Sequence, residues 1–139
     1  MYDRFVIDAS IAAKLYFVEA GSDRAQAIVG DAEWLVAPDL LFIEMASLAA
    51  KNVRRGLVPL ERAAFAVTSV RDLVDRSAPM AVLADRAFQL SCEHGLSAYD
   101  GAYLALAEDE GLRVLTADIR LLRRAETSGL SHLVQALAD

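Results

Sequence analysis

Short apolar runs alternate along this chain with longer amphipathic stretches, and Gly, Pro and small polar residues punctuate the two. Phe5-Val6-Ile7 is a compact run of β-formers closed by Asp8, and predicts a buried strand. Ser10 is placed to cap a short helix over Ile11 to Phe17, and Gly21 ends that pattern. Ser22 or Asp23 starts a second helix that runs to Gly30. Trp34-Leu35-Val36-Ala37 predicts a second strand. Pro38-Asp39 opens a long helix over Leu40 to Arg55, with Gly56 at its stop. Lys51, Arg54 and Arg55 fall in its last turns, where cations complement the helix dipole. Pro59 begins a helix over Leu60 to Asp75, whose stripe Ala63, Val67, Val70 and Val74 reads as core. A turn around Pro79 leads into a helix over Ala81 to His94, closed by Gly95. Ser97 caps a helix running to Glu110, and Gly111 ends it. Arg113 to Thr116 predicts a strand and Asp118 caps a helix over Ile119 to Glu126. After Gly129 a last strand is expected around His132 to Val134.

Apolar strands this short, separated by helices, imply an α/β fold with a parallel sheet covered on both faces. Helix should outweigh strand heavily. No internal repeat, Gly/Ser linker or low-complexity segment interrupts the pattern, so a single domain over residues 1–139 is expected. A chain of this size buries roughly two-thirds of its unfolded surface without staples.

Composition narrows the function. At 55% hydrophobic and 24% charged residues, intrinsic disorder is excluded. The one cysteine, Cys92, forbids an intrachain disulfide and a cysteine zinc cage, and reads as a small buried hydrophobe on its helix. No apolar stretch approaches the roughly 18 residues of a membrane span, and the N-terminus lacks a signal-peptide core. A soluble, cytoplasmic protein is the expectation. The net charge of −6 and pI of 4.9 argue against a simple basic-patch nucleic-acid binder.

The acidic residues carry the chemistry. In open α/β sheets, ligands bind beyond the carboxyl ends of the strands. Asp8 follows the first strand there and Asp118 follows the third, each with a hydroxyl residue two positions away, Ser10 and Thr116. Glu44 and Asp100 interrupt strongly apolar surroundings, where a carboxylate is rarely buried unless paired or metal-bound. Each residue has a plainer role. Asp8 and Asp118 can be helix N-caps, Asp100 can complete a capping box begun by Ser97, and Glu44 can sit on an exposed helix face. A single site accounts for all four together, and a capping aspartate keeps an oxygen free. Four clustered carboxylates need a cation to stay ionised, and an all-oxygen set favours Mg²⁺ or Mn²⁺ over zinc. Such a site suits phosphoryl transfer. His94 and His132 read as a helix-end residue and a surface or strand residue.

In this context the chain resembles the PIN domain, and specifically the VapC-type toxin ribonucleases of bacterial toxin–antitoxin pairs. The pieces that match are Val6-Ile7-Asp8-Ala9-Ser10, Pro38 through Glu44-Met45-Ala46, Leu96-Ser97-Ala98-Tyr99-Asp100 with Ala102-Tyr103-Leu104-Ala105-Leu106-Ala107, and Leu115-Thr116-Ala117-Asp118. The resemblance implies a three-layer α/β/α fold around a parallel sheet of four to five short strands. It implies a Mg²⁺- or Mn²⁺-dependent endoribonuclease, with Asp8, Glu44, Asp100 and Asp118 as the acidic quartet and metal ligands. Ser10 and Thr116 would orient ligands or water. Some members carry a further acidic residue after the last one; here Ile119-Arg120-Leu121-Leu122 follows, which puts a second tightly held metal in question. A homodimer and a small cognate antitoxin that blocks the cleft are also implied.

Phosphate contact needs cations, and 12 of the 14 basic residues are Arg. Arg120, Arg123 and Arg124 begin just past Asp118 and are candidates for RNA contact, as is Lys14. The set Lys51, Arg54 and Arg55 forms a second cluster; either cluster can equally be a solvated helix face. The mean hydropathy of +0.31 is high for a small domain and leaves apolar helix faces for partners. Two other readings stand beside the toxin: a PIN nuclease in RNA processing without an antitoxin, and a non-hydrolytic Mg²⁺-binding α/β domain. The second would want a Gly-rich phosphate loop after the first strand, and none is present. If the quartet is a metal site, setting its four charges aside leaves −2 for the remaining surface. The acidity then belongs to the site rather than excluding RNA.

Overall fold

A computed structural model describes residues 3–137. Strand β1 (Asp3–Ile7) leads into α1 (Ala9–Tyr16) and α2 (Ser22–Asp31), followed by β2 (Ala32–Pro38), α3 (Leu40–Arg54) and α4 (Leu60–Leu73). Then come β3 (Arg76–Ala78), α5 (Met80–His94), α6 (Ala98–Glu110), β4 (Arg113–Thr116), α7 (Ile119–Thr127), a 3-10 turn at Ser131–Leu133 and β5 (Val134–Ala136). The five strands form one parallel sheet in the order β3-β2-β1-β4-β5.

Alternation along each strand builds two cores, because successive side chains leave opposite faces of the sheet. Val6, Val36 and Val114 point to one side and pack under α5, α6 and α7. Phe5, Ile7, Leu35, Ala37 and Leu115 point to the other, under α1, α3 and α4. This is the three-layer α/β/α architecture. The centre of the sheet is apolar on both faces, so Val6, Ile7, Val36, Val114 and Leu115 are fully buried. The chain runs outward from β1 through β2 to β3, then returns to the other side of β1 with β4. The carboxyl ends of β1 and β4 therefore flank the topological switch point, where such sheets open a crevice.

Several elements differ from the sequence expectation. The first helix starts two residues earlier: Asp8 is its cap, accepting from the Ile11 N–H at 3.3 Å, and Ser10 lies inside the first turn. The region read as a turn before Pro79 contains β3, a three-residue edge strand that pairs Val36 with Arg76 and Pro38 with Ala78. Its helix-side neighbour α4 stops at Leu73. Asp75 then accepts from the Leu35 N–H and donates its own N–H to the Leu35 carbonyl, both at 2.8 Å. The last strand begins at Val134, because His132 and Leu133 belong to the 3-10 turn. Cys92 is exposed rather than buried, since α5 turns Leu83, Ala87 and Leu90 to the core and position 92 falls off that face. Among the described residues no helix is long and apolar enough to cross a membrane.

Candidate active site

The residues flanking the switch point are locked together. Asp8 is only 7% exposed. Its Oδ1 accepts from the Ser10 hydroxyl at 2.6 Å, and its Oδ2 accepts from the Thr116 hydroxyl. The same Thr116 oxygen accepts from the Asp118 N–H at 3.0 Å, and Ser10 Oγ accepts from the Ala117 N–H at 2.8 Å. Two hydroxyls thus bridge the ends of β1 and β4, and each relays between a carboxylate and the opposing backbone. Asp118 caps α7, its Oδ1 accepting from the N–H groups of Arg120 and Leu121 at 2.9 and 3.4 Å. Its other oxygen remains for the cleft.

Two helices from opposite layers supply the remaining acids. Ser97 caps α6 by accepting from the Asp100 N–H at 3.0 Å, which fixes Asp100 in the first turn. Glu44 stands on α3, one turn in from its start. Asp8, Ser10, Glu44, Asp100 and Asp118 line one cleft of about 70 Å³, together with Tyr103 and Leu121. Thr116 lies beneath it, fully buried. All six residues of the expected site are therefore brought to one place from four separate segments of the chain. Asp8 and Asp118 also keep their plainer role as caps, whereas only half of the capping box expected at Asp100 forms, Ser97 accepting from its N–H.

Sequence reasoning missed Tyr103. Its ring reads as one more apolar residue of a buried helix, yet its hydroxyl donates to Glu44 Oε1 at 2.5 Å. The only available signal was its place one helical turn after Asp100, on the same face.

The electrostatics record the crowding. Burial pushes the Asp8 carboxyl up to about 6, despite the Ser10, Thr116 and Ile11 donors that favour its charge, and the Asp118 charge adds to the rise. Burial also raises Glu44, against the Tyr103 bond, with the charges of Asp100 and Asp118 pushing the same way. Asp100 is raised by burial and by Asp118, and Arg124 opposes this. A cation between these groups would relieve every one of those costs.

Among the described residues no three His, Cys, Asp or Glu side chains stand close enough together, as they are placed, to hold a metal ion. Asp8 has both oxygens hydrogen-bonded to hydroxyls, and Glu44 and Asp118 each have one oxygen engaged. The donor set nevertheless fits a hard divalent ion. It is all carboxylate and hydroxyl oxygen, without His or Cys, and the cleft is roomy enough to admit water beside an ion.

The expected cationic residues are spread more widely. Arg120, Arg123 and Arg124 are exposed on α7, and Arg124 donates to the Gly95 carbonyl at 3.1 Å beside the Asp100 end of the cleft. Lys14 is turned away, donating to Ala20 O at 2.6 Å and Glu19 Oε1 at 3.2 Å. Lys51, Arg54 and Arg55 end α3, with Arg54 about 15 Å of helix rise beyond Glu44. His94 ends α5 next to Glu93, and His132 lies in the 3-10 turn. A larger cavity of about 600 Å³ opens at the amino ends of β1 and β4, lined by Arg4, Glu108, Arg113 and His132. Its charges are mixed, with Asp3 and Glu108 set against Arg4 and Arg113.

Comparison with known proteins identifies the family and the fold. A family model described as the PIN domain matches residues 5–127. Ribonuclease VapC3 of Pyrobaculum aerophilum is 34% identical over 123 residues, which covers 87% of this chain and 94% of that protein. Ribonuclease VapC12 of Mycobacterium tuberculosis is 33% identical over 134 residues, covering 96% and 98%. The crystal structure of PAE2754 from Pyrobaculum aerophilum superposes with a TM-score of 0.71 at 23% identity. That match covers 98% of this chain and 84% of the other, and speaks for the fold. With its architecture, family match and relatives in agreement, the chain belongs to the PIN-domain family, among its VapC-type members.

Proposed function

We propose that this protein is a ribonuclease of the toxin type that cleaves RNA phosphodiesters with the help of a divalent cation. The observation that carries the reading is the convergence of Asp8, Glu44, Asp100 and Asp118 on one cleft at the sheet's switch point. Relatives named ribonucleases, matched over nearly their whole length, support the substrate class.

Asp8, Asp100 and Asp118, with Glu44 directly or through water, would hold Mg²⁺ or Mn²⁺. When bound, such an ion supplies a Lewis acid that acidifies water and neutralises charge on a phosphoryl group. The protein's own part is preorganisation. Ser10 and Thr116 hold the Asp8 carboxylate in one orientation, and the first turn of α7 does the same for Asp118. No reorganisation of these groups is then needed when substrate arrives. Leu121 lines the cleft beside the acids. Arg124 stands at the Asp100 end of the cleft, and Arg120 and Arg123, exposed on the same helix, would add guanidinium groups suited to bidentate contact with RNA phosphates. In-line attack by water would leave a 5′-phosphate and a 3′-hydroxyl.

The partners belong to the same proposal. A cognate antitoxin would cover the acidic cleft with a basic side chain, and two copies of the chain would associate through exposed apolar helix faces. The substitution Asp100→Asn tests the site: the variant is expected to fold normally and to lose RNA cleavage by two orders of magnitude or more. Wild-type cleavage by that variant would remove the site assignment. Induced expression with and without a short neighbouring reading frame tests the pairing. Growth arrest relieved by the neighbour supports a toxin, and no relief leaves an RNA-processing nuclease without an antitoxin.

A further inference from the structure

Tyr103 stands in the cleft without a part in the metal reading above. It lies on α6 one helical turn beyond Asp100, so the two side chains share a face of that helix. The ring is 2% exposed and belongs to the core beneath α5 and α6. Only its hydroxyl leaves that core, and it donates to Glu44 Oε1 at 2.5 Å, joining α6 to α3 across the cleft. A buried phenol seeks a polar partner, and many backbone carbonyls would satisfy it. Here the partner is one oxygen of a half-buried carboxylate, the only side-chain bond Glu44 makes among the described residues.

The consequence concerns Glu44. Asp8 is held by two hydroxyls and a backbone N–H, and Asp118 by two backbone N–H groups. Glu44 has a longer side chain on a helix surface and would otherwise sample several rotamers. A donor anchored in the core removes that freedom without adding charge. It occupies Oε1 and leaves Oε2 to the cleft.

We propose that Tyr103 is a positioning residue for divalent-cation binding: its hydroxyl presets Glu44 as a ligand by tying one carboxylate oxygen to α6. The inference rests on the cleft being a cation site. Partners one step behind a metal ligand set its orientation, and losing one costs about 10–100-fold in affinity.

The test uses Mn²⁺ alone as probe, its affinity for the whole chain measured by calorimetry in the absence of RNA. Tyr103→Phe deletes one oxygen and keeps the ring. It is expected to weaken Mn²⁺ binding at least tenfold while leaving the circular dichroism spectrum unchanged. Glu44→Gln should also weaken binding, and adding Tyr103→Phe to Glu44→Gln should weaken it no further, because both act through one group. Wild-type affinity in Tyr103→Phe overturns the proposal. So does an equal loss with and without the Glu44 carboxylate, which would mean that the hydroxyl supports the fold rather than the ligand. A wild-type chain that takes up no Mn²⁺ overturns both this inference and the cation site on which it rests.

Discussion

Asp8 concentrates the conflict between folding and function in one side chain. Burial holds its carboxyl up to about 6 against an ordinary value of 3.8. Between those pH values the native protein binds more protons than the unfolded chain. Stability of the metal-free protein therefore falls as pH rises through that window and levels off above it, by at most about 3 kcal/mol. Melting curves in chelator from pH 4 to pH 7 check this, and Asp8→Asn should flatten the profile. A wild-type curve that rises across the same range would contradict it. Much of this was legible in the sequence, because an acid directly after an apolar run, with a hydroxyl two residues away, is an unusual conjunction. What the sequence did not reveal is the wiring. That Thr116 serves Asp8 on the neighbouring strand depends on the β1–β4 register, which pairs Ile7 with Leu115. Tyr103 was illegible for a related reason: a tyrosine in an apolar helix shows its ring in the pattern, whereas its role lies in where the oxygen emerges.

Among the helices and strands, the packing of α5 on α6 sets where Asp100 stands. Gly101 follows it, and a Cβ there would lie 2.8 Å from the Ala87 carbonyl oxygen and 3.1 Å from Ala87 Cα. Both obstacles are backbone, so the helices must part. Gly101→Ala gains about 0.5–1 kcal/mol of helix propensity. It loses ~1–3 kcal/mol to overpacking, so the net expectation is a less stable protein with impaired cleavage. Chemical denaturation measures the first and RNA cleavage the second; an alanine variant as stable as the wild type would show that the helices can yield. The helices and the three central strands were readable because their apolar periods are long or uninterrupted. β3 was not, because Arg76-Ser77-Ala78 has no apolar run and is a strand only through its pairing with β2 and the Asp75 bonds to Leu35. β5 was displaced by two residues for a similar reason, since the 3-10 turn before it looks equally apolar at Leu133.

Over the protein as a whole, the net charge of −6 is unevenly placed. Four acids line one cleft, Arg124 stands at its Asp100 end and Arg120 and Arg123 are exposed on the same helix, so on the proposed reading the protein would repel RNA in general and still hold it at the site. Arg120→Ala with Arg123→Ala should weaken RNA binding and reduce the slope of log affinity against log salt by about 0.7 for each phosphate that is no longer neutralised. The Mn²⁺ affinity of that variant should be that of the wild type. An unchanged salt slope would remove these two residues from the RNA path. Everything proposed for the acidic cleft turns on its cleaving RNA by cation-assisted attack of water. The chemistry of the RNA ends left by the purified wild-type chain, with Mg²⁺ and with chelator, reads that step directly. Cation-assisted hydrolysis predicts 5′-phosphate and 3′-hydroxyl ends with Mg²⁺ and no cleavage in chelator; 2′,3′-cyclic phosphate ends, or cleavage that survives chelation, would contradict it.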